Sequence, residues 1–353
     1  MLRQQDVGHR IVVRRIVGIR EGRPLFSDAL GELVELSETH LTLATAQGPL
    51  RVPVAQVHRA KRVPPTRRPT AAAVVALERA ADEAWPAPTR GRLGDWLLRS
   101  AEGWTGRANS ALPIGDPDRP LPAAVDAVER WYADRGRPAM INTPLPLAAP
   151  VGAELDERGW DSRPPTLVQT APLPLATPAA RTPGVSTAEP GGTVGGPRVG
   201  VGAQRSELGR PGIAVGEPGG AVVEVVTAPS ADWLAVAAGR KGGLPDAARH
   251  VLTAVDQVRF AHGYVDGTLV AIGRGTVTGE GRWLGLSLIE VLPALRRQGL
   301  ARRVIGELAA WGAAAGATHA FLQVEQHNAA AVALYRTLGF TTHHTYLTRV
   351  APA

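Results

Sequence analysis

The chain of 353 residues contains no cysteine, which excludes disulfides, thiolate zinc sites and a cysteine nucleophile. Lysine is nearly missing: Lys61 and Lys241 are the only two, so almost all of the 39 Lys+Arg are arginine. Against 32 Asp+Glu the formal net charge is +7, and an Arg- and Ala-rich bias of this kind points to no function by itself. No apolar run approaches the roughly 18 residues of a membrane span. The start, "MLRQQDVGHR", lacks the apolar core of a secretory signal. These absences predict a soluble, cytoplasmic protein with no membrane partner, and the length leaves room for two or three domains.

Residues 1–66 read as short strands, "RIVVRRIVG", "ELVEL", "HLTLATAQGPLRVPV" and "VHRAKRV", separated by turn-rich stretches and ended by Pro64 and Pro65. Short β-branched runs at this spacing predict a small β-barrel, and the layout resembles SH3-like or Sm-like barrels. Twelve Arg/Lys stand against six Asp/Glu among residues 1–68, which suits an acidic or nucleic-acid partner. Phe26 is the only aromatic there, whereas stacking platforms for bases use several, so a solvated basic face explains the charges better.

From 171 to 218 the composition turns to Pro, Gly, Ala, Thr and Val, as in "TAEPGGTVGGPRVGVG", with neither strand nor helix period. Too little apolar surface is available there to offset the entropy of ordering, and a flexible linker is expected. The flanks are related to each other. Pro113, Trp131, Gly136, Gly159 and Trp160 recur 180 residues later as Pro293, Trp311, Gly316, Gly339 and Phe340, without a gap. We read a tandem duplication of one α/β unit, with copies at 67–170 and 219–353.

In the second copy "RWLGLSLIEV" reads as a strand that Pro293 stops. "RRQGLARRVIGELAAWGAAAG" follows with Leu300, Val304, Leu308 and Trp311 at helical spacing. The bare amides of the first turn and the positive helix end suit a pyrophosphate, and small residues at Gly299 and Ala301 let the backbone approach it. Further on, "FLQVEQHNAAAVALYRTLGF" is a strand and a helix with Asn328 as N-cap and Gly339 just past the end. Asn328 and Tyr335, seven residues apart, share one helix face.

Arg296, Gly299 and Ala301 fill the Gln/Arg-x-x-Gly-x-Gly/Ala pattern of the GNAT superfamily, and Asn328, Ala331, Leu334, Tyr335, Gly339 and Phe340 fill its second pattern. The C-terminal half thus resembles a GNAT acetyl-CoA-dependent N-acetyltransferase, over about residues 221 to 350. The resemblance implies an α/β fold with a mixed α+β sheet: tandem GNAT-like domains after the small barrel. It implies acetyl-CoA as cosubstrate, no metal, and an unknown primary amine as acceptor, on a small molecule or a protein.

It also implies roles. The backbone of Ile289, Glu290 and Val291 would pair with pantetheine; Arg296, Arg297, Gln298, Gly299, Leu300, Ala301 and Arg302 would surround the pyrophosphate; Asn328 would anchor the arm. Tyr335 would protonate the departing sulfur, and Glu290, ahead of Glu325, His327 and His262, is the candidate base. Gln323 stands where related alanine acetyltransferases carry their catalytic glutamate. His343 and His344, adjacent on a strand, should point to opposite faces and hold no metal.

In the first copy the offset places Arg119, Leu121, Ala148 and Leu155 at the positions of Gly299, Ala301, Asn328 and Tyr335. A degenerate GNAT-like domain is expected, one that packs on the active half and walls the acceptor cleft with "GWTGRANSALP", including Trp104, Arg107 and Asn109. A different class of reading is an acyl-CoA-sensing or nucleic-acid-docking adaptor in which the barrel carries the function.

Overall fold

The computed structural model describes residues 2–20, 22–45, 48–63, 69–176, 220–241 and 244–352. It divides into two compact units, Met1–Arg68 and Pro69–Ala353.

The first unit is all strand: β1 (Arg10–Arg20), β2 (Arg23–Leu36), β3 (His40–Thr45), β4 (Gly48–Pro53) and β5 (Val57–Arg62). They form one antiparallel sheet of order β4-β3-β2-β1-β5, with a 3-10 turn at Val54–Gln56 before β5. Alternate residues turn inward, and Ile11, Val13, Leu33, Leu41, Leu43 and Val52 make the core. A Cβ at Gly31 would lie 2.5 Å from the Ala44 carbonyl oxygen, so glycine lets β2 press against β3. The exposed surface carries apolar as well as basic groups: Val17, Ile19, Leu25, Phe26, Leu30 and Val34 are exposed along the β1–β2 hairpin.

The second unit opens with α1 (Ala71–Glu83), whose N-cap Thr70 accepts the Ala73 N–H at 3.2 Å. There follow β6 (Thr89–Leu93), β7 (Trp96–Ser100), α2 (Leu121–Ala133), β8 (Met140–Leu145), α3 (Ala149–Glu157), β9 (Asp161–Ser162) and β10 (Thr166–Pro172). Beyond the undescribed residues, among which nearly all of the expected linker falls, come β11 (Val222–Val226), α4 (Ala231–Lys241), α5 (Asp246–Thr253), β12 (Val258–Val265) and β13 (Thr268–Thr278). The chain ends with β14 (Trp283–Val291), α6 (Leu300–Ala314), β15 (His319–Glu325), α7 (Ala329–Thr337) and β16 (Thr341–Val350).

The duplicate elements coincide. Shifted by the same offset, α3 has the bounds of α7, and α2 and β8 fall on α6 and β15. Gly136 and Gly316, like Gly159 and Gly339, end paired helices with positive φ.

The copies differ in how they associate from two domains lying side by side. One sheet runs β11-β12-β13-β14-β15-β10-β16-β8. β10, from the first copy, lies between β15 and β16 of the second, antiparallel to both, and β16 lies against β8. The order β15-β10-β16-β8 therefore reads the same from either end, each copy lending its last strand to the other. A boundary at 170 falls inside β10, and the two copies share one continuous sheet because long-range strand pairing, which local pattern does not encode, sets their association.

Candidate functional site

β14 and β15 run parallel and paired at four positions only, Trp283 to Leu286 with His319 to Leu322. Beyond Leu286, β14 carries an irregularity at Leu288, where φ is 52°, and stays paired on its other edge with β13, Glu290 opposite Ile272 and Val291 opposite Ala271. β15 continues paired with β10 on its far edge. The two strands diverge into a fork whose inner edges, at Ile289–Val291 and Gln323–Glu325, have backbone groups that an extended amide ligand can pair with.

α6 starts beside this fork. After the short turn Pro293–Leu295, Arg297 and Gly299 both take left-handed φ, 69° and 82°, and the helix begins at Leu300. Arg303 N–H is the first to close on Gly299 O, at 3.1 Å, so the amides of Leu300, Ala301 and Arg302 have no intrahelical acceptor. A Cβ at Gly299 would meet no protein atom within 4 Å. The fit to a phosphate group is thus set by φ and by open space above the amides.

The arginines here have structural duties. Arg296 Nε donates to Val291 O at 3.1 Å, Arg302 Nη2 to Thr337 Oγ1 at 2.9 Å and Arg303 Nη1 to Ala221 O at 3.0 Å. They brace the turn against β14, α7 and the segment before β11 while their charge stays near the helix start. Arg297 and Gln298 are exposed, Leu300 is buried and Ala301 half-buried.

α7 follows β15 directly. Asn328 caps it, its Oδ1 accepting the Ala331 N–H at 3.2 Å, which leaves its amide NH2 as the donor it can offer a ligand. Tyr335 is half-buried, with its ring 5.9 Å from that of Phe340. Ile289, Val291, Leu300 and Tyr335 all pack on one core under α6. Two close contacts bring α6 down onto the sheet: a Cβ at Gly273 would be 2.5 Å from Val304 Cγ1, and one at Gly275 3.1 Å from Leu308 Cδ2.

The candidate bases separate. Glu290 is half-buried on β14 at the fork. Glu325 and His327 are exposed and pair with each other at 3.2 Å. His262 is buried on β12 and caps the start of α4, its Nε2 3.2 Å from the Ser230 N–H and its Nδ1 3.3 Å from Phe260 O. Burial lowers its pKa, and β13 separates its strand from the fork. Gln323 Oε1 accepts the Tyr346 hydroxyl at 3.2 Å.

His343 and His344 correct the expectation from strand alternation. Their Nδ1 atoms are 2.8 Å apart, and buried His344 Nε2 meets Glu78 Oε1 of α1 at 2.7 Å. The β10–β16 register shifts between Val168 and Gln169, which lets both rings turn to one side. Asn109 also differs from expectation: its amide holds its own loop, accepting Ala101 and Gly103 N–H at 2.8 and 3.0 Å and donating to Thr105 O at 2.8 Å. Trp104 stacks on Trp85 with centroids 5.3 Å apart, and Arg107 lies over Trp85. Trp85, Arg107 and β13's Arg274 meet Ser287 and Gln323 around one small pocket on the sheet face opposite α6. Trp85 and Arg274 escaped the sequence reading, although an arginine inside the apolar strand "LVAIGRGTV" was the available signal.

In the first copy the position of β14 is occupied by a loop and the 3-10 turn Gly106–Asn109. The helix α2 begins after Pro120 with Arg119 bound to Asp118 at 2.8 Å. No second fork with a bare glycine start is found there among the described residues.

Comparison with known proteins places the chain in a family. The family described as "Probable histone acetyltransferase Rv0428c C-terminal" matches residues 71–172 and 209–348, both copies together. The probable histone acetyltransferase Rv0428c of Mycobacterium tuberculosis is 30% identical over 353 residues, covering 98% of this chain and 95% of the relative. An uncharacterized N-acetyltransferase, YobR of Bacillus subtilis, is 27% identical over 280 residues, covering 76% of this chain and 96% of the relative. Among solved structures, a GCN5-related N-acetyltransferase from Kribbella flavida shares the fold with a TM-score of 0.54 at 17% identity, over 82% of this chain and 97% of that one.

Proposed function

Because the chain belongs to the Rv0428c C-terminal family of GNAT acetyltransferases, we propose that it moves an acetyl group from acetyl-CoA to a primary amine at the fork between β14 and β15. The observation that carries this reading is the end of β14–β15 pairing after Leu286 and Leu322, beside the uncapped start of α6. The inner edge of Ile289–Val291 suits the amides of a pantetheine arm, and the amides of 297–302 suit its pyrophosphate, with Arg296, Arg297 and Arg302 adding positive charge. Asn328 offers its NH2 to the middle of the arm.

Acetyl-CoA supplies a thioester whose carbonyl carbon is open to an amine. The N–C bond forms and the C–S bond breaks; the amine loses one proton and the sulfur gains one. Glu290 is the carboxylate in the fork that can draw the amine proton, directly or through water. Tyr335, on the α7 face that carries Asn328, returns a proton to sulfur. An N-terminal amine, near pKa 8, needs less help than a lysine near 10.4. Thiol release by the full-length protein against a panel of amines tests the proposal, and failure of every amine alongside failure to bind acetyl-CoA would refute it. For the first unit, the sheet order and the 3-10 turn before β5 support an SH3-like barrel.

A further inference from the structure

The pocket opposite α6 carries chemistry that acetyl transfer by itself does not need. Gly273 and Gly275 lie under α6, so alternation turns Arg274 to the other face, where it is 1% exposed. Its Nε donates to Leu252 O at 2.9 Å, its Nη2 to Val251 O at 3.1 Å and its Nη1 to Ala84 O at 2.9 Å. These carbonyls belong to the C-terminal ends of α5 and α1, whose partial negative charge favours a cation. No carboxylate pairs with Arg274 among the described residues. Burial, with Arg107 nearby, brings its pKa down to about 9, so it remains cationic at neutral pH.

Arg107 and Arg274 place their guanidinium carbons 5.6 and 5.3 Å from the centroid of the same Trp85 ring. Two cations thus share one indole, and among the described residues that line the pocket none is a carboxylate. Three donors around these rings are buried without acceptors: Arg107 Nε and Trp85 Nε1, of residues that line the pocket, and Trp104 Nε1, of the ring stacked on Trp85. Both tryptophans are more than nine-tenths buried. Ser287 Oγ, 3.5 Å from Arg274 Nη1, and neutral Gln323 also line the pocket, as do Thr276, Leu286 and Phe321. Donors left unpaired away from water are costly, and two guanidiniums so close repel each other, that of Arg274 being offset by the carbonyls it donates to while Arg107 Nε has no acceptor. A group with negative charge and two acceptor oxygens relieves both.

The pocket also sits where an acceptor must be. Leu286 and Ser287 immediately precede the irregularity in β14, and Gln323 follows the last paired residue of β15. Ser287 is two residues from Ile289, with the irregular Leu288 between them, so a group held there lies close along β14 to the inner edge of the fork.

We propose that this pocket receives a carboxylate of the acceptor, so that the substrates are amines bearing a carboxylate near the nitrogen, amino acids being the simplest. The planar guanidinium fork and the flat indole wall match a planar two-oxygen group. The inference rests on the acetyltransferase reading for its setting.

The test uses the full-length protein and measures kcat and KM by thiol release for α-amino acids and β-alanine, each against its carboxamide, with phosphoethanolamine as the phosphate arm. The acids are expected to exceed their amides in kcat/KM by about tenfold or more, the scale of one charge-assisted hydrogen bond, mainly through KM. Arg107→Gln should bring that ratio toward one, and Arg107→Lys should restore part of it. Amides equal to their acids overturn the proposal, as does phosphoethanolamine preferred to β-alanine. A second arm compares N-acetyl amino acids with their amides by thermal shift of the protein, and equal shifts, or none, also overturn it. Calorimetry with acetyl-CoA runs alongside: absence of that binding refutes the acetyltransferase reading, whereas the thermal-shift arm still decides the pocket.

Discussion

Replacing Gly299 by Ala separates two reasons for a glycine at the start of α6. Its φ of 82° is left-handed, and a Cβ there would meet no protein atom within 4 Å. The folded protein alone should therefore lose only the conformational cost of a left-handed alanine, about 1 kcal/mol, which lowers Tm by roughly 2–4 °C in a unit of this size. Gly316, at the other end of the same helix, has φ 98° and is equally open, so Gly316→Ala provides the same strain away from the proposed cradle. Only at Gly299 would the added methyl occupy the space above the amides of Leu300 and Ala301. Loss of one charge-assisted hydrogen bond there amounts to about 1.5–3 kcal/mol, or roughly a tenfold to hundredfold weaker Kd for acetyl-CoA. Differential scanning calorimetry and titration calorimetry on both variants measure the two effects apart. Equal acetyl-CoA affinity in both variants would refute the cradle at α6, whatever happens to Tm.

Tyr335→Phe should lower kcat by about 10²–10⁴-fold and leave acetyl-CoA affinity within about twofold; an unchanged kcat removes the phenol from the proton transfer. Burial, with His344 adding repulsion, holds the His343 pKa down to about 4 against the pull of Glu78. The unfolded chain takes up this proton first as pH falls, so that contribution to stability is complete above about pH 6.5 and is lost toward pH 4; urea midpoints of wild type and His343→Gln should converge across that window, and parallel curves would exclude the assignment. Co-expressed fragments 1–176 and 220–353 should copurify as one folded species, because β10 lies between β15 and β16. Independent folding of the two fragments, shown by separate elution and native circular dichroism, would contradict that pairing.

The sequence made the second copy readable because its signals are local. Gly299, Asn328 and Gly339 stand at helix ends, where φ and capping dictate residue type, and the helical stripe from Leu300 to Trp311 is an amphipathic period. The repeat of Trp131 and Trp311 is likewise a local signal, the two standing on helices, α2 and α6, that the same offset relates. What escaped was non-local. Nothing in "TLVQTAP" states which strands it will separate, since any alternating run can pair on either edge. The meeting of Trp85 and Arg107 with Arg274 depends on α1 and the loop after β7 covering a sheet face assigned by that pairing. The histidine pair was misread because a register shift, rather than ideal alternation, governs β16 at His343.

The reciprocal loan of strands makes each half of the second unit depend on the other for a closed sheet. Removal of β8 and β10 would bare one edge of β15 and both edges of β16, leaving backbone donors and acceptors without partners.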